Sequence, residues 1–236
     1  MALKDIVNMA GEGFEGKMGL SVKHLGTGEA ASLRGDDLFP TASVFKVPII
    51  VELYRGIEAG VLSMDDKIVL MERDKVPGSG ILKELGEGLE LSVGDLTELM
   101  MILSDNTATD MLVERLGMEN INATLRGLGL QRTRVVADCR DLLFDLIHMN
   151  DTPDEMKTID VYRERSRGAV AKGSWSLGVE RNNVTTPDEM LRLLEMIVNG
   201  EAVGRESCGA ILETMGRCQT GQYMICLLYT SDAADE

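Results

Sequence analysis

The chain has 236 residues, 44% hydrophobic and 27% charged, which suits a globular protein of one large or two small domains around a sizeable core. Its formal net charge of −15 argues against nucleic acid and anionic membrane surfaces as partners. No apolar run is long enough to cross a bilayer, and the N-terminus carries Asp5, Glu12 and Glu15 where a signal peptide would be apolar. As given, the chain therefore reads as soluble and cytoplasmic, with export of a longer native form left open.

The four cysteines (Cys139, Cys208, Cys218 and Cys226) show no C-x-x-C and no histidines at metal spacing, so free and mostly buried thiols in a reducing compartment are expected, with no metal. Fifteen methionines suggest an adaptable core. Leu3, Ile6, Val7 and Ala10 mark one face of an opening helix that Gly11 and Gly13 stop. Met18, Leu20, Val22 and His24 then alternate with small or polar residues, and Gly26-Thr27-Gly28 turns the chain into a returning strand, 29–34. On this pattern His24 faces inward as a satisfied structural histidine.

The stretch Phe39 to Ile50 passes from small and polar residues to an apolar run. It predicts a helix from near Ala42 to Gly60, a glycine suited to the left-handed position after a helix. Ser43 falls in the first turn, where backbone N–H groups are unpaired, and Lys46 stands one turn on. Burial on an apolar helix lowers a lysine's pKa, and such an amine can take the proton of a serine hydroxyl and make it a nucleophile. A surface lysine after a helix-capping serine gives the same S-x-x-K string, which recurs by chance.

Beyond Gly60, Ile68-Val69-Leu70 suggests a short extended piece and Val76-Pro77-Gly78-Ser79-Gly80 a loop bordering a cleft. Ser92-Val93-Gly94-Asp95 has the spacing of a capping box, with Leu91 and Leu96 as its hydrophobic staple. The helix it opens stops at Ser104-Asp105-Asn106, and another runs from Thr107 to Leu116. Further helical segments are expected at 121–130, 141–149, 154–165, from Thr186-Pro187-Asp188-Glu189 to Val198, and at 207–215, with 168–183 loop-like. Only the hairpin carries clear strand signals.

S-x-x-K at Ser43, the S-D-N triplet at Ser104 after 61 positions of mostly helical chain, and Thr185-Thr186-Pro187 opening a later helix occur in an order that resembles the penicillin-recognising serine hydrolases, specifically the class A β-lactamase branch. The resemblance covers residues 1–225. It implies an α/β (α+β) fold of the β-lactamase/transpeptidase type, with a sheet part from 1–40 and 186–225 and a helical part from 41–185. It also implies an acyl-enzyme on Ser43, with Lys46 accepting its proton and Ser104 relaying that proton to the leaving nitrogen. Asn106 would bind the substrate's side-chain amide, and the Ser43 N–H would supply half of an oxyanion hole. Asp105 is expected to be structural. Lysine is also the base by elimination, since neither His24 nor His148 stands in a triad-like context. No cofactor is implied, and the partner is a small β-lactam, acyl peptide or ester bound by a monomer.

Three departures accompany the resemblance. The family's K-T-G is absent after Met215; Gln219-Thr220-Gly221 lacks the cation, and residues 226–236 read as a non-native tail, so the C-terminal strands are expected to be missing. The family's E-x-x-L-N, whose glutamate activates the deacylating water, is replaced: Cys139 stands at the glutamate and Leu143 at the asparagine, with Asp138 and Asp141 off register and Glu155, Glu164 and Glu180 as open substitutes. Asn183 stands where the family has the aspartate of a loop-neck ion pair. β-Lactam hydrolysis is the expected reaction. The lost glutamate favours a D-Ala-D-Ala peptidase or carboxylesterase instead, and the missing K-T-G favours a catalytically impaired or non-catalytic relative.

Overall fold

A computed structural model describes residues 2–149, 151–167 and 177–219. Its organising element is α2 (Lys46–Glu58), on which Val47, Pro48, Ile49, Ile50, Val51, Glu52 and Leu53 are all buried. A stretch buried on every side cannot lie on a surface, and this part of α2 is enclosed by α3 (Val93–Ile102), α4 (Asn106–Leu116), α5 (Met118–Gly127) and α9 (Arg205–Gly216). Ile49, Ile50 and Leu53 are fully buried, so truncating any of them to alanine costs about 2–5 kcal/mol. A 3₁₀ turn, Ala42–Phe45, leads into α2, so Pro48 falls in a first helical turn where its missing N–H removes no ladder bond. Gly60 (φ +69°) ends the helix in the left-handed conformation.

The opening helix α1 (Leu3–Gly11) packs on a hairpin of β1 (Leu20–Lys23) and β2 (Ala30–Leu33), whose register pairs Leu20 with Leu33. His24 is exposed, which corrects the inward placement: the strand ends at Lys23, and the His24 ring accepts from the Thr27 N–H at 3.1 Å within the turn. Two further ribbons lack a strong alternating signal. β3 (Phe39–Pro40) pairs with β6 (Val184–Thr185), and β4 (Lys67–Val69) pairs with β5 (Glu90–Ser92). Strands of two or three residues are too short to show a period.

The Ser92–Asp95 capping box forms in both directions, at 2.9 and 2.8 Å, ahead of α3. Helix α6 (Cys139–Leu146) begins two residues before its expected start, because the Asp138 side chain caps it through the Asp141 N–H at 2.8 Å. Phe144 of α6 meets Tyr162 of α7 (Ile159–Ser166) edge-on, with ring centres 5.5 Å apart. In α8 (Pro187–Asn199) the Thr186 cap accepts from the Glu189 N–H, but the Glu189 carboxylate turns away to take the backbone N–H groups of Arg132 and Thr133. Cys139 and Cys208 are buried free thiols, and Cys226 lies outside the described residues, as does the chain from Thr220 onward.

Candidate active site

Ser43 is held from both sides of its turn. The β3–β6 pairing brings Asn183 beside Thr41, whose N–H and hydroxyl both donate to the Asn183 carbonyl, at 2.9 and 3.2 Å. Ala42 then takes φ +43°, a left-handed conformation that costs a non-glycine residue about 1–2 kcal/mol, and Ser43 follows half-buried. Lys46, the first residue of α2, is fully buried. Its Nζ lies within hydrogen-bond distance of Ser104 Oγ at 2.7 Å, the Ser104 carbonyl at 3.0 Å, Asn106 Oδ1 at 3.1 Å and, longest, Ser43 Oγ at 3.4 Å, one acceptor more than an ammonium has hydrogens. Ser104 Oγ in turn lies 3.0 Å from Ser43 Oγ. The four residues singled out in the sequence thus meet at one place.

The corner between α3 and α4 presents Ser104 and Asn106 to the lysine. Ser104 adopts φ +53°, again left-handed, and the next N–H, of Asp105, reaches back to the Leu99 carbonyl at 3.1 Å. Asp105 is structural: its carboxylate caps α4 through the Ala108 N–H at 3.1 Å and takes the Ile81 and Leu82 N–H groups at 2.6 and 2.9 Å. That anchors the 76–80 loop. Gly78 and Gly80, both at positive φ, allow the close approach, since a Cβ on them would stand 2.6 Å from Asn106 Nδ2 and 2.2 Å from the Asp105 carboxyl carbon. The loop also orients the Asn106 amide, whose Nδ2 donates to the Pro77 carbonyl at 3.0 Å.

Burial lowers the Lys46 pKa, and the nearby Asp110 and Asp105 carboxylates oppose it. An amine so placed is more readily neutral, which is the form that can accept a proton. Burial pushes the Cys139 thiol well above its ordinary value, so at neutral pH it is no base. Asp110, one turn beyond Asn106 on α4, accepts the Cys139 and Arg140 N–H groups at 2.8 and 2.9 Å. Desolvation, reinforced by the Asp138 carboxylate, pushes Asp110 up to about 7. Nothing in the sequence motifs singled out Asp110 or Ser79. The i, i+4 spacing from Asn106 placed Asp110 on the same helical face and was the available signal.

The other carboxylates are engaged or turned to solvent. Asp138 caps α6, Asp141 pairs with the buried Lys157 at 2.6 Å, and Glu155, Glu164 and Glu180 are exposed. Asn183 closes the loop neck through neutral bonds: its Oδ1 accepts from Val136 and Ala137 at 2.8 and 3.0 Å, and its Nδ2 donates to the Ala137 carbonyl at 2.8 Å. Arg134 and Val184 exchange backbone bonds beside it, at 2.9 and 3.1 Å. Among the described residues no cluster of His, Cys, Asp or Glu could hold a metal, and no helix is long and apolar enough to cross a membrane.

The chain is 28% identical over 159 residues to β-lactamase BRO-1 of Moraxella catarrhalis, covering 66% of the chain and 50% of that protein. It is 30% identical over 135 residues to a β-lactamase of Rhodobacter capsulatus, covering 57% and 46%. The chain thus spans about half the length of these curated relatives. The solved β-lactamase of Sphaerobacter thermophilus superposes with a TM-score of 0.70 at 29% identity, over 91% of this chain and 69% of that one. The sequence profile of the β-lactamase enzyme family matches residues 2–233, and the chain belongs to that family.

Proposed function

We propose that the chain is a serine acyl hydrolase acting on β-lactams. The observation that carries this reading is the convergence of Ser43, Ser104 and the buried Lys46 within 3.4 Å of one another. Ser43 Oγ attacks the lactam carbonyl carbon while its proton passes to neutral Lys46. The C–N bond breaks, the acyl group stays on Ser43, and Ser104 delivers the proton to the departing nitrogen. The Ser43 N–H stabilises the developing oxyanion, and the second Nδ2 hydrogen of Asn106 is offered to the substrate's side-chain amide. Incubation with benzylpenicillin should add one penicillin mass to the intact chain, and Ser43→Ala should abolish the addition. No adduct and no turnover by the unaltered chain would falsify the reading.

A second reading, an acyl enzyme that releases product slowly in the manner expected of a peptidase or esterase, is favoured by Cys139. This neutral thiol stands where the family's deacylating glutamate is expected. The two readings share the acylation step and differ in the lifetime of what it leaves on Ser43.

A further inference from the structure

Ser79 lies exposed on the 76–80 loop, outside every motif, yet its hydroxyl reaches two acceptors that Lys46 also uses. Its Oγ donates to the Ser104 carbonyl at 2.7 Å and approaches Asn106 Oδ1 at 3.3 Å, while Lys46 Nζ donates to the same two oxygens at 3.0 and 3.1 Å. The Ser79 carbonyl in turn accepts the Asn106 N–H at 3.1 Å, which fixes the loop to the start of α4. An oxygen already accepting one hydrogen bond is a weaker acceptor for a second, and bonds accepted from an ammonium favour its charged form. The lysine therefore shares the oxygens that would otherwise hold it protonated.

We propose that Ser79 is a positioning residue that sets the proton affinity of Lys46: by donating its one hydroxyl hydrogen to the Ser104 carbonyl, which Lys46 also uses, it keeps the lysine readier to be a neutral base. The functional consequence rests on the acyl-enzyme reading above; the effect on Lys46 does not. The other groups that face the lysine, Asp105 at the cap of α4, Asp110 of α4 and Cys139 of α6, are unchanged by substitution at 79, so they form a constant background.

The test compares Ser79→Thr with Ser79→Val, two side chains of the same shape of which only the first keeps a hydroxyl. The Lys46 pKa is read directly, by NMR of the full chain carrying ¹³C-labelled lysine, without any substrate. Ser79→Val should raise it by about half to one unit and Ser79→Thr should restore it. The acid limb of the penicillin acylation rate should move by the same amount in the same direction. An unchanged or lowered Lys46 pKa in folded Ser79→Val overturns the proposal. So does an equal shift in the Thr and Val variants, because it would be a consequence of shape alone. If the chain forms no penicillin adduct but the NMR shift appears, the acyl-enzyme reading fails and the role of Ser79 stands.

Discussion

Lys46 Nζ is 2.7 Å from Ser104 Oγ but 3.4 Å from Ser43 Oγ, so the lysine is bonded more closely to the second serine than to the proposed nucleophile. Ser104 Oγ lies 3.0 Å from Ser43 Oγ and completes a path with two shorter steps. If the proton leaves Ser43 along that path, Ser104 serves both in activating Ser43 and in protonating the leaving nitrogen. Ser104→Ala should then slow acylation by penicillin at least ~10²-fold, the loss expected of a positioned proton carrier. Adduct formation followed by mass spectrometry measures it. A variant that folds and acylates at the original rate would show that Lys46 reaches Ser43 directly.

Asp110 makes stability depend on pH with a definite sign. Its carboxyl is raised to about 7 in the folded chain from an ordinary value of 3.8, so the folded state holds a proton that the unfolded state gives up. The associated stability is fully present below about 3.8 and is lost as pH rises to about 7. Asp110→Asn should flatten the dependence of unfolding free energy on pH across that window by more than ~1 kcal/mol. Urea unfolding at pH 5 and pH 7.5 reads the slope. Equal slopes in the two proteins would mean that Asp110 is ionised throughout.

The loop neck rests on Asn183, whose fully buried amide makes three bonds to Val136 and Ala137 and whose carbonyl receives Thr41, two residues before Ser43. Replacing it with alanine leaves two N–H groups and a carbonyl unpaired, at about 1–3 kcal/mol for each group that water does not reach. Asn183→Ala should therefore lower the urea midpoint without changing the slope of the transition, and it should slow acylation as the Ser43 turn loosens. A midpoint within error of the original would assign the neck to the Arg134–Val184 backbone pair instead.

Much of this arrangement was legible in the chain, and where it was not the reasons are physical. Ser43, Lys46, Ser104 and Asn106 sit in rigid positions relative to helix ends, and caps and apolar periods show helix ends well: Ser92 and Asp95, Thr186 and Pro187, and Gly60 each mark a boundary that the structure places within a residue or two. The short ribbons of Phe39–Pro40 with Val184–Thr185 were invisible, since two residues have no period and their pairing spans most of the chain. The contacts of Ser79 and of Asp110, beyond the helical face that the Asn106 spacing gives Asp110, were hidden for another reason. Each acts through backbone groups of a distant segment, and no local pattern records which carbonyl or N–H a side chain will meet. Asn183 was read as the loss of an ion pair, whereas a single amide can take two N–H groups and a carbonyl at once.

Release from Ser43 should be far slower than attachment to it. Acylation needs a nucleophile and a proton path, the roles proposed for Ser43 and for Lys46 with Ser104. Release needs a water held at the acyl carbon by a base. The position expected to supply that base holds Cys139, a buried thiol whose pKa is pushed well above its ordinary value and which therefore stays neutral. Asp110 lies behind it, but both of its oxygens are committed to the Cys139 and Arg140 N–H groups, at 2.8 and 2.9 Å. The absence of a positioned base typically costs ~10²–10⁴-fold, so a penicillin adduct on Ser43 should persist for many minutes in intact-mass measurements. Cys139→Glu alone would set a second carboxylate against Asp110, so the informative variant pairs it with Asp110→Asn, which removes the repulsion and keeps one acceptor for the segment's N–H groups. The double variant should shorten the adduct's lifetime at least ~10-fold, because a carboxylate then stands at the position where the family's deacylating base is expected. Rapid turnover by the unaltered chain, with no adduct trapped, would mean that a carboxylate other than one at 139 already activates the water.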